Sequence, residues 1–172
     1  MKKNTTFLLL LLIAQLAYAQ AQYGHINYGT LLSVLPETKQ ADKDLEAYQV
    51  QLQDDLKAAV EKYKKRYIEI NTAIQNGDLS PVQVAKFEEE IKQTENKLKL
   101  QELQISDKVG KKRQELLAPI LDRAKKAIEA VARERGYVMV FDTSIFNAIL
   151  SATEESDLMP YVLAKFGITY DK

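Results

Sequence analysis

The chain has 172 residues, of which 24 are basic and 24 acidic, with one histidine and no cysteine. A formal net charge of zero does not favour nucleic acid as a partner. Without cysteine the chain forms no disulfide and supports no thiolate chemistry, so packing alone must hold its fold together.

Residues 1–19 have the pattern of a secretory signal peptide. The first residues are positively charged, residues 7–14 are apolar, and Ala17-Tyr18-Ala19 fits a cleavage site, as does Ala19-Gln20-Ala21. The apolar run is too short to span a bilayer, and no later segment approaches the roughly 18 apolar residues that a membrane helix needs. We expect an exported, soluble protein that begins after residue 19 or after residue 21.

The segment that follows predicts one strand and one short helix. Apolar residues near alternate positions in residues 23–28 indicate the strand. Residues 30–35 fit one or two helical turns, which should stop before Pro36 because the residue preceding a proline disfavours the helical region. Thr38 is the candidate N-cap of the next helix.

Residues 39–135 predict two long amphipathic helices that fold back on each other at residues 76–81. Apolar side chains in the first helix recur every eleven residues, or about 3.67 per turn, which favours a nearly straight helix pair. These positions are Leu45, Tyr48, Leu52, Leu56, Ala59, Tyr63, Tyr67, Ile70 and Ile74. The second helix has a broad apolar face, in which Pro119 should introduce a bend, and Gly136 should end it.

The turn between these helices has the clearest local signals in the chain. Gly77 supplies a left-handed end to the first helix. Ser80 is a good N-cap, Pro81 suits the first helical position, and Gln83 completes a capping box.

Charged runs favour antiparallel pairing of the two helices. With the turn near residue 78, the basic residues of 62–66 lie opposite the acidic residues of 88–90. Likewise the basic residues of 108–113 lie opposite the acidic residues of 42–46. Exposed ion pairs contribute only about 0–1 kcal/mol each, so these runs fix the register more than they stabilise the pair.

The C-terminal segment predicts a small base that contains short strands. Residues 137–141 are apolar, β-branched or aromatic, which is typical of a buried strand. Residues 147–152 fit a second short strand, after a turn at residues 142–144. Asp157 is the predicted N-cap of a final helix that Gly167 ends.

Such a small base buries too little apolar surface to be stable alone, and its strand edges would be open. We therefore expect several copies of the chain to share one core. The candidate residues of this oligomerisation core are Ile26, Val138, Val140 and Ile149.

Nothing in the sequence favours an enzyme. His25 lies in a predicted strand and has no cysteine partners for a zinc site, so a structural role is the simpler interpretation. No glycine-rich phosphate loop is present, and carboxylates alternate with lysines at helical spacing, which is typical of a solvated face. We predict no catalytic residue, no metal and no cofactor.

Apolar side chains near the predicted turn are the best candidates for a binding surface. A two-helix tip cannot bury all of them, so some apolar area should stay accessible. The candidate residues are Tyr63, Tyr67, Ile70, Ile74, Val82, Val84 and Phe87. The basic clusters at 62–66 and 108–113 fit contacts with acidic partners or envelope lipid, or simple neutralisation by the acidic runs opposite.

Taken in order, these features resemble the Skp/OmpH family of periplasmic chaperones. The resemblance is carried by the opening segment His25-Ile26-Asn27-Tyr28, the charged hairpin, Leu117-Ala118-Pro119-Ile120 and the closing segments Gly136-Tyr137-Val138-Met139-Val140-Phe141-Asp142 and Asp157-Leu158-Met159-Pro160. It covers essentially the whole chain after the signal peptide. No single motif is highly specific, but the ordered set is.

The resemblance implies a predominantly helical α+β homotrimer. A β-containing body of residues 20–38 and 118–172 would carry a tentacle of residues 39–117 with its tip at 76–81. The implied function is ATP-independent holding of unfolded outer-membrane β-barrel proteins in a cavity between tentacles in the periplasm. Known members are strongly basic and this chain is not, so no lipopolysaccharide site is transferred. The alternative function is a secreted coiled-coil structural or adaptor protein of the cell envelope.

Overall fold

A computed structural model describes residues 21–146 and 149–170, so the predicted signal peptide lies outside the described residues. The elements in chain order are β1 (Gln22–Ile26), α1 (Tyr28–Val34), α2 (Pro36–Gln75), α3 (Pro81–Glu134), β2 (Tyr137–Asp142), a 3-10 turn (Glu154–Ser156) and α4 (Met159–Lys165). The predicted fold class, mostly helical with a long helix pair and a small sheet, is confirmed.

The chain divides into two compact units. The hairpin unit is Pro36–Pro119, which contains α2 and the first part of α3. The sheet unit consists of the described residues of Met1–Leu35 and Ile120–Lys172, which contain both strands and both short helices.

In the hairpin unit, α2 and α3 run antiparallel. As residue numbers rise along α2 they fall along α3, since Lys112 lies over the ring of Tyr48 and Arg66 pairs with Glu90. The apolar positions predicted for α2 from Leu45 to Tyr63 are half-buried, and so are Ile91, Leu98 and Ile105 of α3. The eleven-residue stripe therefore marks the contact between the helices, except at Tyr67 and Ile74, which are exposed.

The predicted turn is confirmed in its hydrogen bonds. Gly77 has a φ of 73°, and the backbone N–H of Asp78 donates to the carbonyl of Ala73. The Ser80 N–H donates to Oε1 of Gln83 at 2.9 Å, and the Gln83 N–H donates weakly to Oγ of Ser80 at 3.4 Å. These two bonds form the reciprocal capping box that satisfies free amides at the start of α3.

The prediction that Thr38 caps α2 is wrong. Helix α2 begins at Pro36, whose fixed φ suits the first helical position. Thr38 lies within the first turn, and its buried hydroxyl has no hydrogen-bond partner in the described part of the chain. Pro119 does not end α3, which continues to Glu134 and is followed by Gly136 at a φ of 75°.

In the sheet unit, β1 and β2 pair in parallel. The predicted strand at residues 137–141 is confirmed, but the prediction that it is buried is wrong: Val138, Met139 and Phe141 are exposed. A two-stranded sheet leaves β2 with only one neighbouring strand, and an apolar run cannot reveal how much of its surface other elements cover.

The core of the sheet unit lies between the strands and the helices. It consists of Ile26, Leu31, Leu35, Ile120, Ala124, Val131, Leu158, Met159, Val162 and Leu163. Gly24 is required here because a Cβ at this position would collide with Leu158 and press on the ring of Tyr137. The sheet and the loop before α4 are thus in direct contact.

The second predicted strand, at residues 147–152, is wrong where it can be assessed. Residues 149–152 have no strand structure, and residues 147–148 lie outside the described residues. The segment before α4 instead pairs with the edge of β1. There the Leu158 N–H donates to the carbonyl of His25 at 2.9 Å.

Helix α4 begins two residues after Asp157, whose Oδ1 accepts the Met159 N–H at 2.8 Å. Helix α4 ends before Gly167, which has a φ of 69°. Gly167 ends this helix as predicted, but Leu158 and not Asp157 is its N-cap residue.

Candidate binding surfaces

The seven candidate client-binding residues of the hairpin unit have different environments. Tyr63, Val84 and Phe87 are half-buried, and Ile70 is only 6% exposed. Tyr67, Ile74 and Val82 are exposed, with Val82 at 78%. Of these three, only Val82 exposes most of its side chain, since Tyr67 and Ile74 are 46% and 37% exposed.

A polar cluster joins the two helices next to these residues. The Tyr63 hydroxyl donates to Oε1 of Glu95, and Nε of Arg66 donates to Oε1 of Glu90 at 3.2 Å. The Arg66 guanidinium also lies 4.9 Å from the centre of the Phe87 ring, in the range of a cation–π contact. Tyr63 and Phe87 therefore take part in contacts between the helices.

The same contacts change the pKa values of two side chains, Tyr63 and Arg66. Hydrogen bonding to Glu95 raises the pKa of Tyr63 to about 12, because the neighbouring carboxylate opposes formation of a phenolate. The bond to Glu90 raises the pKa of Arg66, so its charge is permanent. These groups hold the helices together and offer no proton donor or acceptor near neutral pH.

Of the two sets of charge contacts predicted between the helices, one is present. Arg66 pairs across the helices with Glu90, as expected. Lys64 instead pairs with Glu61 at 2.8 Å, and Lys112 with Glu115 at 3.6 Å, each within its own helix. Both basic clusters are thus partly neutralised locally.

Several exposed apolar residues of the hairpin unit fall outside the predicted set. Ile68, Leu100 and Leu103 are 64%, 54% and 67% exposed, and Val50 is also exposed. They occupy helix positions that do not belong to the half-buried stripes. These residues could have been found in the sequence as apolar positions that lie outside the main helical period.

The four candidate oligomerisation residues also differ in how exposed they are. Ile26 lies in the core of its own unit, Val140 and Ile149 are half-buried, and Val138 is 65% exposed. Apolar side chains that were not predicted are also exposed on this unit: Tyr23, Met139, Phe141, Ile145, Phe146 and Leu150.

His25 has a structural environment. Its Nε2 lies 3.2 Å from the carbonyl oxygen of Thr153, and its own carbonyl accepts from Leu158. Within residues 21–146 and 149–170 no group of three or more histidine and acidic residues could hold a metal ion. No helix in these ranges is long and apolar enough to cross a membrane.

The paired-helix unit and the sheet unit each expose large apolar side chains, which are candidate contacts for other polypeptides. The chain matches the family model described as "Outer membrane protein (OmpH-like)" over residues 22–166. It therefore belongs to the OmpH-like (Skp) family of outer-membrane protein chaperones, whose members are not enzymes.

One solved structure with this fold is described as an OmpH-like outer membrane chaperone from Caulobacter crescentus CB15. It superposes with a TM-score of 0.71 over 90% of this chain and 91% of its own, at 12% sequence identity. At that identity the likeness shows the fold alone. No curated protein sequence matches the chain.

Proposed function

We propose that the protein is an ATP-independent holdase of the periplasm, which binds unfolded outer-membrane β-barrel proteins and prevents their aggregation. The proposal rests on the observation that, in a chain of the OmpH-like family, both hairpin helices expose apolar side chains, among them Tyr67, Val82 and Leu103. Single exposed apolar residues are common on proteins, and the family match is the reason to interpret these side chains as contacts for other polypeptides.

The mechanism needs no chemical step. An unfolded barrel exposes apolar side chains and unpaired backbone groups, and such chains aggregate in water. Isolated apolar residues on a helix surface provide many weak contacts without a deep pocket. Each contact is easily broken, so a client is held in solution and can still leave.

The proposal includes assembly as a homotrimer. Among its described residues the sheet unit has two strands, and it exposes the apolar side chains of Val138, Met139 and Phe141 on β2. Covering this surface with other copies of the chain would remove it from water and protect the strand edge. Three hairpin units would then surround one client, with residues 39–117 as the tentacle of each copy.

A dilution experiment tests the proposal. A urea-unfolded outer-membrane barrel is diluted with and without the purified protein, while light scattering and the mass of any complex are followed. We expect a trimer without client, lower scattering, and a complex of one client with one trimer.

Scattering that stays unchanged would contradict the holdase, and a stable monomer would contradict the trimer. A complex with one folded envelope protein at fixed stoichiometry, without an effect on unrelated unfolded barrels, would favour the adaptor function instead.

A further inference from the structure

The face of α3 that points away from α2 carries few charges. Successive residues on this face, three or four apart between 96 and 114, are Asn96, Leu100, Leu103, Asp107, Gly110 and Gln114. All six are exposed, and among them only Asp107 is charged; the exposed Lys111, next to Gly110, borders the same face.

The direction of this face follows from the helix period. Each residue turns the helix by about 100°, so a side chain two positions from a buried one points to the opposite side. Leu100 lies two residues after Leu98, and Leu103 two residues before Ile105, and both Leu98 and Ile105 are half-buried against α2. Leu100 and Leu103 therefore project away from the partner helix.

The equivalent face of α2 has a different composition. Its successive residues between 50 and 68 are Val50, Asp54, Lys57, Glu61, Lys64 and Ile68, all of them exposed. Four of these six are charged, and Glu61 and Lys64 form an ion pair with each other. The outer face of α2 thus carries more charge than the outer face of α3.

This asymmetry decides which face an unfolded polypeptide can cover at low cost. Covering Lys57 or Asp54 with an apolar segment would remove a charge from water without supplying a partner, which is strongly unfavourable. Covering Leu100 and Leu103 is favourable, because apolar surface leaves water. The side-chain amides of Asn96 and Gln114 can both donate and accept hydrogen bonds, as unpaired backbone groups require.

We propose that this face, residues 96–114 of α3, is the main client-contact surface of the hairpin unit, and that the outer face of α2 is not. The occupant is an extended, uncharged segment of an unfolded β-barrel, with alternating apolar and polar side chains and unsatisfied backbone groups. The inference rests on the proposed holdase function and assigns its contact surface to one helix.

The natural absence of cysteine permits a direct test. In the full-length protein, Leu103→Cys and Ile68→Cys each place one thiol on an outer face, and the replaced side chains are 67% and 64% exposed. Each thiol is labelled with an environment-sensitive dye. Urea-unfolded barrel is added by dilution, and quenching of the dye by neutral acrylamide is measured with and without it.

We expect the client to lower the quenching constant at position 103 roughly threefold or more, because the dye leaves water, and to change it little at position 68. Equal protection at both positions would overturn the assignment, as would protection at position 68 alone. Protection at 103 that appears without client and grows with protein concentration would also overturn it, since a second copy would then be the occupant.

The two measurements distinguish a failure of the proposed contact surface from a failure of the proposed holdase function. If scattering is suppressed while the dye at position 103 is unaffected, the holdase stands and this surface is wrong. If the dye is protected by unfolded barrel but scattering is not suppressed, the surface stands and the holdase is wrong.

Discussion

Asp142 connects the end of β2 to two other parts of the sheet unit. Its Oδ1 accepts the backbone N–H of Tyr28 at 3.1 Å and that of Ser144 at 2.8 Å, while Oδ2 accepts the Ser144 hydroxyl. Partial burial by itself raises the pKa of this carboxyl, but the hydrogen bonds from Ser144 and Tyr28 outweigh it and the pKa is lowered. The ionised form therefore stabilises the fold.

We predict that Asp142→Ala lowers the free energy of unfolding by about 1–2 kcal/mol at neutral pH, because two backbone donors lose their acceptor. A lowered folded pKa means that this contribution is present above the ordinary value of 3.8 and lost as pH falls through the folded pKa. Urea unfolding at neutral pH and at about pH 3 measures both effects. Asp142→Asn, which keeps an acceptor oxygen without the charge, is the control and should cost less. An equal loss at both pH values would contradict the prediction.

Tyr63 offers a second test at a single residue. Glu95→Gln should bring the pKa of Tyr63 from about 12 back towards its ordinary value of 10, because the acceptor loses its negative charge. Since the folded pKa is raised, the stabilisation is complete below about pH 10 and is lost as pH rises through about 12. Ultraviolet titration of the phenolate, compared with that of Tyr63→Phe, isolates this residue among the nine tyrosines. Glu102→Gln is the control, and a titration that Glu95→Gln leaves unchanged would argue against the bond.

At the scale of elements, two glycines of the hairpin unit have opposite roles. Gly77 ends α2 with a φ of 73°, which is strained for any residue with a Cβ. Gly110 lies inside α3, and a Cβ there would meet no atom within 4 Å. The same substitution should thus have opposite effects at the two positions.

We predict that Gly77→Ala destabilises the protein by about 1 kcal/mol and that Gly110→Ala stabilises it by about 0.5–1 kcal/mol. Urea unfolding of both variants gives the two signs. Hydrogen exchange adds a local readout, because Gly77→Ala should speed exchange at the amides of Asp78 and Gln83 beside the turn. Two changes of the same sign would show that backbone conformation does not control this turn.

Elements with local signals could be predicted from the sequence, and those set by distant contacts could not. Gly77, Ser80 and Gln83 act within a few residues of one another, so the turn is readable. The burial of β2 depends on what covers it, and the sequence could not say that β1 pairs with it on one side only. Among the candidate client-binding residues, Ile70 was predicted to be accessible, but it is buried in the hairpin unit. The exposed Leu100 and Leu103 were not predicted, because they do not belong to the apolar stripe of α3.

At the scale of the whole molecule, charge is balanced both in sum and locally. Basic and acidic residues are equal in number, and several lysines pair within one turn of their own helix, including Lys64 with Glu61 and Lys126 with Asp122. Such pairs contribute little stability, but they cancel the field that would attract a charged partner from a distance. Capture of a client by the proposed holdase therefore cannot depend on a strong electrostatic field.

We predict that suppression of aggregation is nearly independent of salt. The protein concentration that halves the scattering of an unfolded barrel should change less than about twofold between roughly 50 and 500 mM salt, whereas attraction between exposed charges would be screened over this range. Apolar contacts are not weakened by screening, so the small change expected is a slight gain at high salt. Two barrel clients of opposite net charge, tested in parallel, serve as each other's control, because salt also alters the aggregation of the client itself. A loss of suppression with salt for one client and not for the other would mean that charge, and not the apolar side chains on the outer face of α3, captures the client.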